Sequence, residues 1–150
     1  MATRKRAAPP LESTLSYQLH LLHKLSDRDS QQAYLRELGL TLADGRCLAT
    51  VGAFAPLSVV DLARRANLNK GQASRAAQAL VEQGLVRKTG SDRDGRGVVL
   101  DLTPAGRAAW TRTMALIARR NDEIFACLDA AERKAFAGYL ARLVAHNQPR

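Results

Sequence analysis

Residues 66–84, ANLNKGQASRAAQALVEQG, decide the fold because a tight turn and a strongly marked helix follow each other in them. Asn69 is a favourable residue for the N-cap of a helix, and Gln72, three positions later, completes a capping-box pattern. Alanines and Leu80 then recur at three- and four-residue steps, and Gly84 supplies a C-terminal stop. The pattern predicts a helix that begins after Asn69, ends before Gly84 and buries one apolar face.

The opposite face of this helix carries no bulky apolar side chain. It consists of Lys70, Gly71, Gln72, Ser74, Arg75 and Gln78. A shorter segment of helical periodicity, residues 58–66, precedes the turn. Two helices joined by a tight turn, the second with a polar outer face, indicate a helix-turn-helix, in which the second helix reads the major groove of DNA.

The charge of the chain favours a polyanionic partner. Its 150 residues include 23 Lys and Arg against 14 Asp and Glu, which gives a formal net charge of +9 and is typical of proteins that bind nucleic acid or acidic membranes. Eight basic and four acidic residues fall between positions 61 and 97, around the helix-turn-helix. The cations do not follow one amphipathic face with aromatic residues, and no apolar run is long enough to cross a bilayer. A cytoplasmic protein that binds DNA is therefore expected, rather than a membrane protein.

Residues 85–88 and 98–102 are two short β-prone runs that enclose a loop rich in Asp and Gly, which predicts a hairpin. The turn explains Asp94 but not the two cations, Arg93 and Arg96. A solvated charged loop is one interpretation. The other is a wing, a cationic hairpin beside the helix-turn-helix whose arginine enters the electronegative minor groove. The position of the loop directly after the predicted helix-turn-helix favours the wing.

A long helical pattern precedes this region. Residues 11–38 carry leucines at three- and four-residue steps over a broad face, which predicts a helix that contacts more than one surface. Gly39 and Thr41 then mark a stop and a new N-cap, so a second helix is expected up to about residue 54. Residues 1–10 are small, basic and end in proline, and they predict a disordered arm.

Helical patterns also follow the hairpin. Thr103 and Pro104 suit the N-cap and the first position of a helix. That helix is expected to carry an apolar seam with alternating three- and four-residue spacing, as in a coiled coil, formed by Trp110, Met114, Ile117, Asn121, Ile124 and Leu128. A final helix is expected after it, up to about residue 147.

The run PLSVVDLARRANLNKGQASRAAQALVEQGLVRKTGSDRDGRGVVLDLTPAG, residues 56–106, closely resembles the winged helix of the MarR family of bacterial transcriptional regulators. Its most specific part is D-x-R at 94–96 followed by L-T-P-x-G at 102–106, which is similar to the wing of that family and the exit from it. The resemblance extends over most of the chain. It implies a mainly α fold of the α+β winged-helix type, with about six helices and a β-wing of two or three strands.

The same resemblance implies a domain layout. Residues 11–150 would form a single MarR-like domain, with the winged helix-turn-helix at 41–103 between dimerisation helices at 11–38 and 104–147. Two chains would form a homodimer that binds a pseudo-palindromic operator in double-stranded DNA, in most family members as a repressor. The residues expected at the dimer interface are Leu15, Leu19, Leu22, Trp110, Met114, Ile117, Ile124, Leu128, Phe136 and Leu140.

DNA contacts follow from the resemblance as well. Arg96 would enter the minor groove, with Asp94 orienting it and Arg93 beside it in the same loop. The polar face of the second helix of the helix-turn-helix, residues 70–78, would contact bases or phosphates in the major groove.

Family members commonly respond to small phenolic or aromatic acids, and the segments YQLHLLHKLSDR and GRCL are similar to those of regulators of aromatic or nicotinic acid catabolism. Gly45 stands where the family often has a large aromatic residue, so we expect open space beside Arg46, whose guanidinium suits a carboxylate. Tyr17, His20 and His23 share one helix face and are expected to contribute to this effector site. The expected effector is a small aromatic or N-heteroaromatic carboxylic acid.

Two alternatives apply to the same region. Arg46 can instead form a structural salt bridge with Asp44 or with the dimer partner. His20, His23 and Asp27, spaced i, i+3, i+7, can instead hold a metal ion, although no fourth ligand is apparent. A metal-responsive regulator is therefore an alternative that the sequence favours less.

Other function classes have little support in the sequence. Cys47 and Cys127 lie far apart outside any Cys/His cluster, and they are expected to be small core residues rather than redox-active thiols. A redox-responsive regulator is therefore an alternative that the sequence favours still less. No nucleophile-base set, metal-ligand set or phosphate loop stands out, so neither an enzyme nor a bound cofactor is expected. An architectural DNA-binding protein without an effector is the remaining alternative.

Overall fold

The structure, a computed structural model, describes residues 7–90 and 97–149. These residues belong to two compact units that divide after Met114. Residues 1–6 of the predicted arm, which spans residues 1–10, and the wing residues Arg93, Asp94 and Arg96 lie outside the described residues.

Six α-helices and a three-stranded sheet are present in the described part of the chain, which confirms the predicted fold class. In chain order they are α1 (Leu15–Leu38), α2 (Leu42–Phe54), β1 (Leu57–Ser58), α3 (Val59–Arg65), α4 (Lys70–Glu82), β2 (Val86–Thr89), β3 (Val99–Leu102), α5 (Pro104–Ile124) and α6 (Ala130–Asn147). The periodicity predicts a first helix from residue 11, but a 3-10 turn precedes α1 there. Thr14 has an extended backbone, and its side chain accepts a hydrogen bond from the Tyr17 N–H. This cap makes α1 begin at Leu15.

The sheet joins its strands in the order β1-β3-β2, and both pairs are antiparallel. β2 and β3 form the predicted hairpin, with Val86 opposite Leu102. β1 pairs Leu57 with Leu100. A two-residue strand is too short to show an alternating pattern, which is why the hairpin was the only part of the sheet that periodicity identified. Because α3 follows β1 directly and Ser58 pairs with Val99, the first helix of the helix-turn-helix starts beside the first residue of β3.

The core of the first unit lies between α2, α3, α4 and the sheet. Its fully buried leucines are Leu48 of α2, Leu62 of α3, Leu80 of α4 and Leu100 of β3. Each such side chain stabilises the folded state by about 1.5–3 kcal/mol relative to an exposed one. Ala73, Ala76 and Ala77 complete the buried face of α4, as predicted. The opposite face of α4 is therefore held outward by a continuous core.

The exit from the sheet into α5 explains the residues of the LTPAG motif. The Thr103 Oγ1 atom accepts a hydrogen bond from the Gly106 N–H at 2.9 Å and donates one to the Gly84 carbonyl at 2.6 Å. A Cβ atom at position 106 would overlap the carbonyl oxygen of Leu85. Only glycine therefore allows α5 to start this close to the turn that follows α4.

The second unit contains the end of α5 and all of α6. Arg133 of α6 reaches the connection between the two helices, where its Nε donates to the carbonyls of Phe125 and Leu128, at 3.1 and 3.2 Å. These bonds satisfy carbonyl groups that the end of a helix leaves without partners. Because α5 ends at Ile124, Leu128 lies in the connection, and the prediction of one helical seam that includes Leu128 is wrong at that residue.

Candidate nucleic-acid interface and effector region

The turn before α4 fixes where that helix begins. Asn67 has a left-handed φ of 57°, which Asn tolerates better than most residues. The Asn69 side chain accepts a hydrogen bond from the Gln72 N–H at 2.8 Å, and the Gln72 side chain accepts one from the Asn69 N–H at 3.2 Å. The predicted capping box is confirmed. The side-chain oxygen of Gln72 is used by the cap, so the side-chain N–H groups of Gln72 remain available to bind another partner.

The structure brings the predicted DNA-contacting residues of α4 together on one exposed surface, called the α4 face below. Its members are Lys70, Gly71, Gln72, Ser74, Arg75 and Gln78, all exposed. A Cβ atom at position 71 would make only ordinary contacts with Arg75 and Asn69. No contact among the described residues requires glycine at this position. Because Gly71 has no side chain, another molecule can approach the helix backbone closely there.

Gln78 is held between two charged side chains. Lys88 Nζ donates a hydrogen bond to Gln78 Oε1 at 2.8 Å, and Gln78 Nε2 donates one to Glu82 Oε1 at 3.3 Å. Lys88 belongs to β2 and was not among the predicted site residues, because no local sequence pattern links a strand residue to a helix residue ten positions earlier. The sheet therefore adds a cation to the edge of the α4 face.

Two exposed arginines at the end of α3 add to the basic surface near the turn. Arg65 places its guanidinium 4.1 Å from the centroid of the Phe54 ring, and Arg64 Nη2 lies 3.3 Å from Asp61 Oδ1. Stacking on a ring orients a guanidinium without using its N–H donors. Arg65 is thus an oriented cation at the surface of the helix-turn-helix.

A second cluster of charged side chains joins α1 to α2. Arg46 Nη2 lies 2.7 Å from Asp27 Oδ1, and His23 Nε2 lies 3.1 Å from Asp27 Oδ2. The predicted alternative, a structural salt bridge of Arg46, is therefore present, but Asp27 is the partner, and the prediction of Asp44 is wrong. The side chains of Arg46 and Asp27 are 39% and 28% exposed, so solvent reaches the pair.

The space expected beside Arg46 is filled. A Cβ atom at Gly45 would overlap the ring of Tyr34, a residue of α1 that is buried. Burial raises the pKa of the Tyr34 hydroxyl, while the charge of Arg46 acts in the opposite direction. The prediction of an opening at Gly45 is therefore wrong, because α1 supplies the aromatic ring that position 45 lacks.

The remaining predicted effector residues lie on the exposed surface of α1. Tyr17 and His20 are six and three residues before His23, and all three are exposed. In residues 7–90 and 97–149, no group of three His, Cys, Asp or Glu side chains is placed to hold a metal ion. The metal alternative for His20, His23 and Asp27 therefore has no support from the geometry, in which Asp27 Oδ1 pairs with Arg46 instead.

Comparison with known proteins decides the family. Residues 38–97, which include α2, α3, α4 and the strands up to β2, match the sequence profile of the MarR family. The HTH-type transcriptional repressor Rv2887 of Mycobacterium tuberculosis is 30% identical over 116 residues, which cover 77% of this chain and 84% of that repressor. This chain belongs to the MarR family.

Solved MarR-family structures have the same fold. A transcriptional regulator of the family from Silicibacter pomeroyi matches with a TM-score of 0.78 and 28% identity over 94% of both chains. Rv2887 of M. tuberculosis, in complex with salicylic acid, matches with a TM-score of 0.70 and 29% identity over 87% of this chain and 96% of that one. Rv2887 in complex with DNA matches with a TM-score of 0.71 and 27% identity over 87% and 98% of the two chains. The aromatic or nicotinic acid subgroup stays a prediction.

The two cysteines of this MarR-family chain differ in environment. Cys47 is fully buried, and burial, with a smaller contribution from the charge of Asp44, raises the pKa of its thiol to about 12. It is an inert core residue, as predicted. Cys127 is exposed, because it lies in the connection after α5, and the prediction that it is a core residue is wrong.

The residues predicted at the dimer interface of the MarR fold fall into three groups. Leu15, Leu19 and Leu22 on α1 are 78%, 48% and 42% exposed. Trp110 instead contacts its own chain, since its Nε1 donates to the Ala49 carbonyl of α2 at 3.1 Å. Of the other predicted residues, Met114 is exposed, and Ile117, Ile124, Leu128, Phe136 and Leu140 are partly buried. Their contact with a second copy stays a prediction.

The second unit of the MarR-family chain has a cleft of about 310 Å³ beside Phe125, Phe136 and Leu140. Arg133 lines it, but its Nη1 lies 3.2 Å from Asp122 Oδ1 and its Nε binds carbonyls of the α5–α6 connection. This guanidinium therefore serves the fold of the connection. Across the described ranges, no helix combines the length and apolar character that crossing a membrane requires.

Proposed function

We propose that this MarR-family chain is a cytoplasmic DNA-binding repressor that binds a pseudo-palindromic operator as a homodimer. A small aromatic or N-heteroaromatic carboxylic acid releases it. The observation that carries the proposal is the exposed, polar α4 face, fixed at its start by a capping box and supported from behind by the core. The major groove of DNA admits one α-helix whose polar side chains reach base edges.

Charge supports the DNA-binding part. The chain has a formal net charge of +9, and Lys70, Arg75 and Lys88 lie on or beside the α4 face. Each phosphate that such cations neutralise makes affinity fall as salt rises. The repressor Rv2887, a relative of this chain, has been solved in complex with DNA.

The apolar surface of α1 and the turn before it supports the homodimer. Leu11, Leu15, Leu19, Leu22 and Leu25 are between 42% and 78% exposed. Soluble monomers rarely leave so many large apolar side chains together in water. A second copy of the chain, related by a two-fold axis, would cover them. It would also present two α4 helices to successive turns of the major groove, as a palindromic site requires.

Arg46 supports the effector part. Its guanidinium is bound by the carboxylate of Asp27 at a place that solvent reaches. A carboxylic acid offers the same pair of acceptor oxygens and can take the place of Asp27. Since Arg46 belongs to α2 and Asp27 to α1, that exchange changes the contact between the winged helix and the long helix before it. Rv2887 has been solved with salicylic acid and with p-aminosalicylic acid, both aromatic carboxylic acids.

The aromatic body of the acid needs a place other than position 45. Tyr34 fills the space at Gly45, so the ring of an effector bound to Arg46 has to lie on the solvent side of the pair. Tyr17 and His20 are exposed on the preceding turns of α1. We therefore retain them, with His23, as proposed contacts of the aromatic ring.

Selection of genomic fragments by the full-length protein tests the proposal, repeated with benzoic, salicylic and nicotinic acids and their close analogues. We expect a pseudo-palindromic site that is lost when one of these acids is added. Arg46→Ala should bind the same site but resist release. Arg28→Ala is the matched control, because Arg28 is an exposed α1 arginine that pairs with the adjacent Asp29, and it should respond like the parent.

Three other results would change the proposal. A site that no carboxylic acid releases would contradict the effector part and favour an architectural DNA-binding protein. Equal retention of all fragments would contradict an operator-specific repressor. Normal release of Arg46→Ala would remove Arg46 from the effector site, even if the acid itself were confirmed.

A further inference from the structure

Lys88 forms a hydrogen bond with the side-chain amide of Gln78 and does more than add a positive charge to the α4 face. Lys88 Nζ lies 2.8 Å from Gln78 Oε1, and Gln78 Nε2 lies 3.3 Å from Glu82 Oε1. Lys88 is on β2, whereas Gln78 and Glu82 are one turn apart on α4. The three side chains form one chain of hydrogen bonds along the exposed edge of the α4 face.

These neighbours allow only one orientation of the Gln78 amide. An ammonium group donates hydrogen bonds and cannot accept them, so the amide oxygen has to face Lys88. An ionised carboxylate only accepts, so the amide nitrogen has to face Glu82. A flipped amide would place N–H groups against the ammonium and oxygen against the carboxylate, which loses both bonds and adds two repulsive contacts.

The fixed amide keeps a defined set of unused groups. A glutamine amide has two N–H donors and two oxygen lone pairs. Lys88 takes one lone pair and Glu82 takes one N–H, so one donor and one acceptor of the amide remain for another partner. Adenine presents a matching acceptor, N7, and donor, N6–H, in the major groove, whereas guanine presents two acceptors there.

We propose that Lys88 is a positioning residue that fixes the Gln78 amide to read an adenine in the operator. The inference rests on the proposed DNA-binding function and adds the identity of one base and the residue that enforces it. Lys88 need not touch that base. A phosphate contact by Lys88 alone is the competing explanation, and it would weaken binding to all sequences alike.

Selection from randomised duplexes by the full-length protein tests the inference, with sequence preference measured at every position. The parent should select adenine at one position in each half-site, and Gln78→Ala should lose preference at that position only. Lys88→Met should reduce the adenine preference at that position by roughly tenfold, which lies within the discrimination that one bidentate contact between a side chain and a base provides. Lys88→Arg, which still donates to the amide oxygen, should retain most of it.

Arg87→Met is the matched control. Arg87 is the neighbouring cation on β2, and its Nη2 lies 3.9 Å from Asp101 Oδ2. Successive side chains of a strand point to opposite faces of the sheet. Both methionine variants remove one positive charge from the same exposed strand, so they should lose general affinity to a similar extent. Only Lys88→Met should change the base preference. Thermal unfolding of each variant shows whether the fold is retained, and Lys88→Arg keeps the test valid if Lys88→Met does not fold.

The outcomes separate this inference from the proposed function. If Lys88→Met keeps the adenine preference and weakens all sequences as Arg87→Met does, Lys88 is a phosphate contact and the inference is overturned. If Gln78→Ala changes no position, the inference is also overturned, while selective binding by the parent leaves the proposed function intact. If the parent selects no sequence at all, the proposed function fails first.

Discussion

Arg46 of α2 and Asp27 of α1 meet at 2.7 Å although they are 19 residues apart in the chain. Their side chains are 39% and 28% exposed, and an ion pair near the surface contributes only about 0–1 kcal/mol to stability. The pair joins the first helix of the winged-helix segment to the long helix before it. In the proposed function, an effector carboxylate takes the place of Asp27 on Arg46 and so changes that contact.

Asp27→Asn should make the protein more sensitive to its acid effector. The amide leaves Arg46 without a charged partner, so an incoming carboxylate no longer competes with Asp27. We expect about tenfold less acid to be needed for half-release, which corresponds to about 1.4 kcal/mol of lost competition. Fluorescence anisotropy of labelled operator DNA measures this concentration. Asp29→Asn, which changes an exposed neighbouring carboxylate, is the control, and an unchanged or higher concentration for Asp27→Asn would contradict the exchange.

Gly45→Ala should destabilise the fold because its Cβ atom would overlap the buried Tyr34 ring. Overpacking of this kind costs about 1–3 kcal/mol, measured as the free energy of unfolding in urea. The double variant with Tyr34→Leu should lose less than the sum of the single variants. Gly138→Ala is the control, since nothing lies within 4 Å of a Cβ there, and it should be neutral or stabilising by about 0.5–1 kcal/mol. A Gly45→Ala variant as stable as the parent would show that position 45 has room after all.

The two cysteines should differ in reactivity. Cys47 is fully buried and Cys127 is exposed, so iodoacetamide at pH 8 should label Cys127 in the folded protein and Cys47 only after unfolding. Mass spectrometry of the labelled peptides distinguishes the two sites. Labelling of Cys47 under native conditions would contradict its burial.

Cys47 should also contribute to the pH dependence of stability. Its thiol pKa is raised from 9.0 to about 12 in the folded state, so between these values the unfolded chain releases a proton that the folded chain keeps. The contribution is fully present below pH 9 and is lost as pH rises towards 12. Urea unfolding at pH 8 and pH 10 should show a larger loss of stability for the parent than for Cys47→Ala. Equal losses would show that the thiol has its ordinary pKa when folded.

Arg96→Ala should weaken operator binding without unfolding the protein. The prediction comes from the sequence alone, since Arg96 follows Asp94 and Gly95 in a polar loop without large apolar side chains, and an arginine in the minor groove contributes to affinity there. Operator affinity and the thermal unfolding temperature are the two measurements. Parent-like affinity would mean that the loop is only a solvated turn.

Helix ends were predictable because the signals that set them are local. Thr41 caps α2 through the N–H of Asp44, and Asn69 caps α4 through that of Gln72, each within three residues. The inner face of α4 followed from the spacing of its alanines in the same way. α1 shows the limit of this reasoning, because the leucine pattern continues to Leu11 while the cap at Thr14 starts the helix later.

Contacts between distant residues were not predictable from the pattern. The glycine at position 45 suggested an open space, because the sequence does not show that the Tyr34 ring of α1 packs against Gly45. The sequence suggested nearby Asp44 or the dimer partner as the partner of Arg46, whereas packing of α1 on α2 brings Asp27 to it. Lys88 was counted only as part of the basic charge, since its contact with α4 depends on how the hairpin packs.

The most direct test of the central claim, that the α4 face reads DNA, is the ratio of affinities for the selected operator and for a scrambled duplex at one salt concentration. The parent should bind the operator at least about a thousandfold more tightly. The double variant Arg75→Ala/Gln78→Ala should lose most of that ratio, while Arg142→Ala, which removes a cation from α6, should keep it. A double variant that discriminates as well as the parent would contradict the claim.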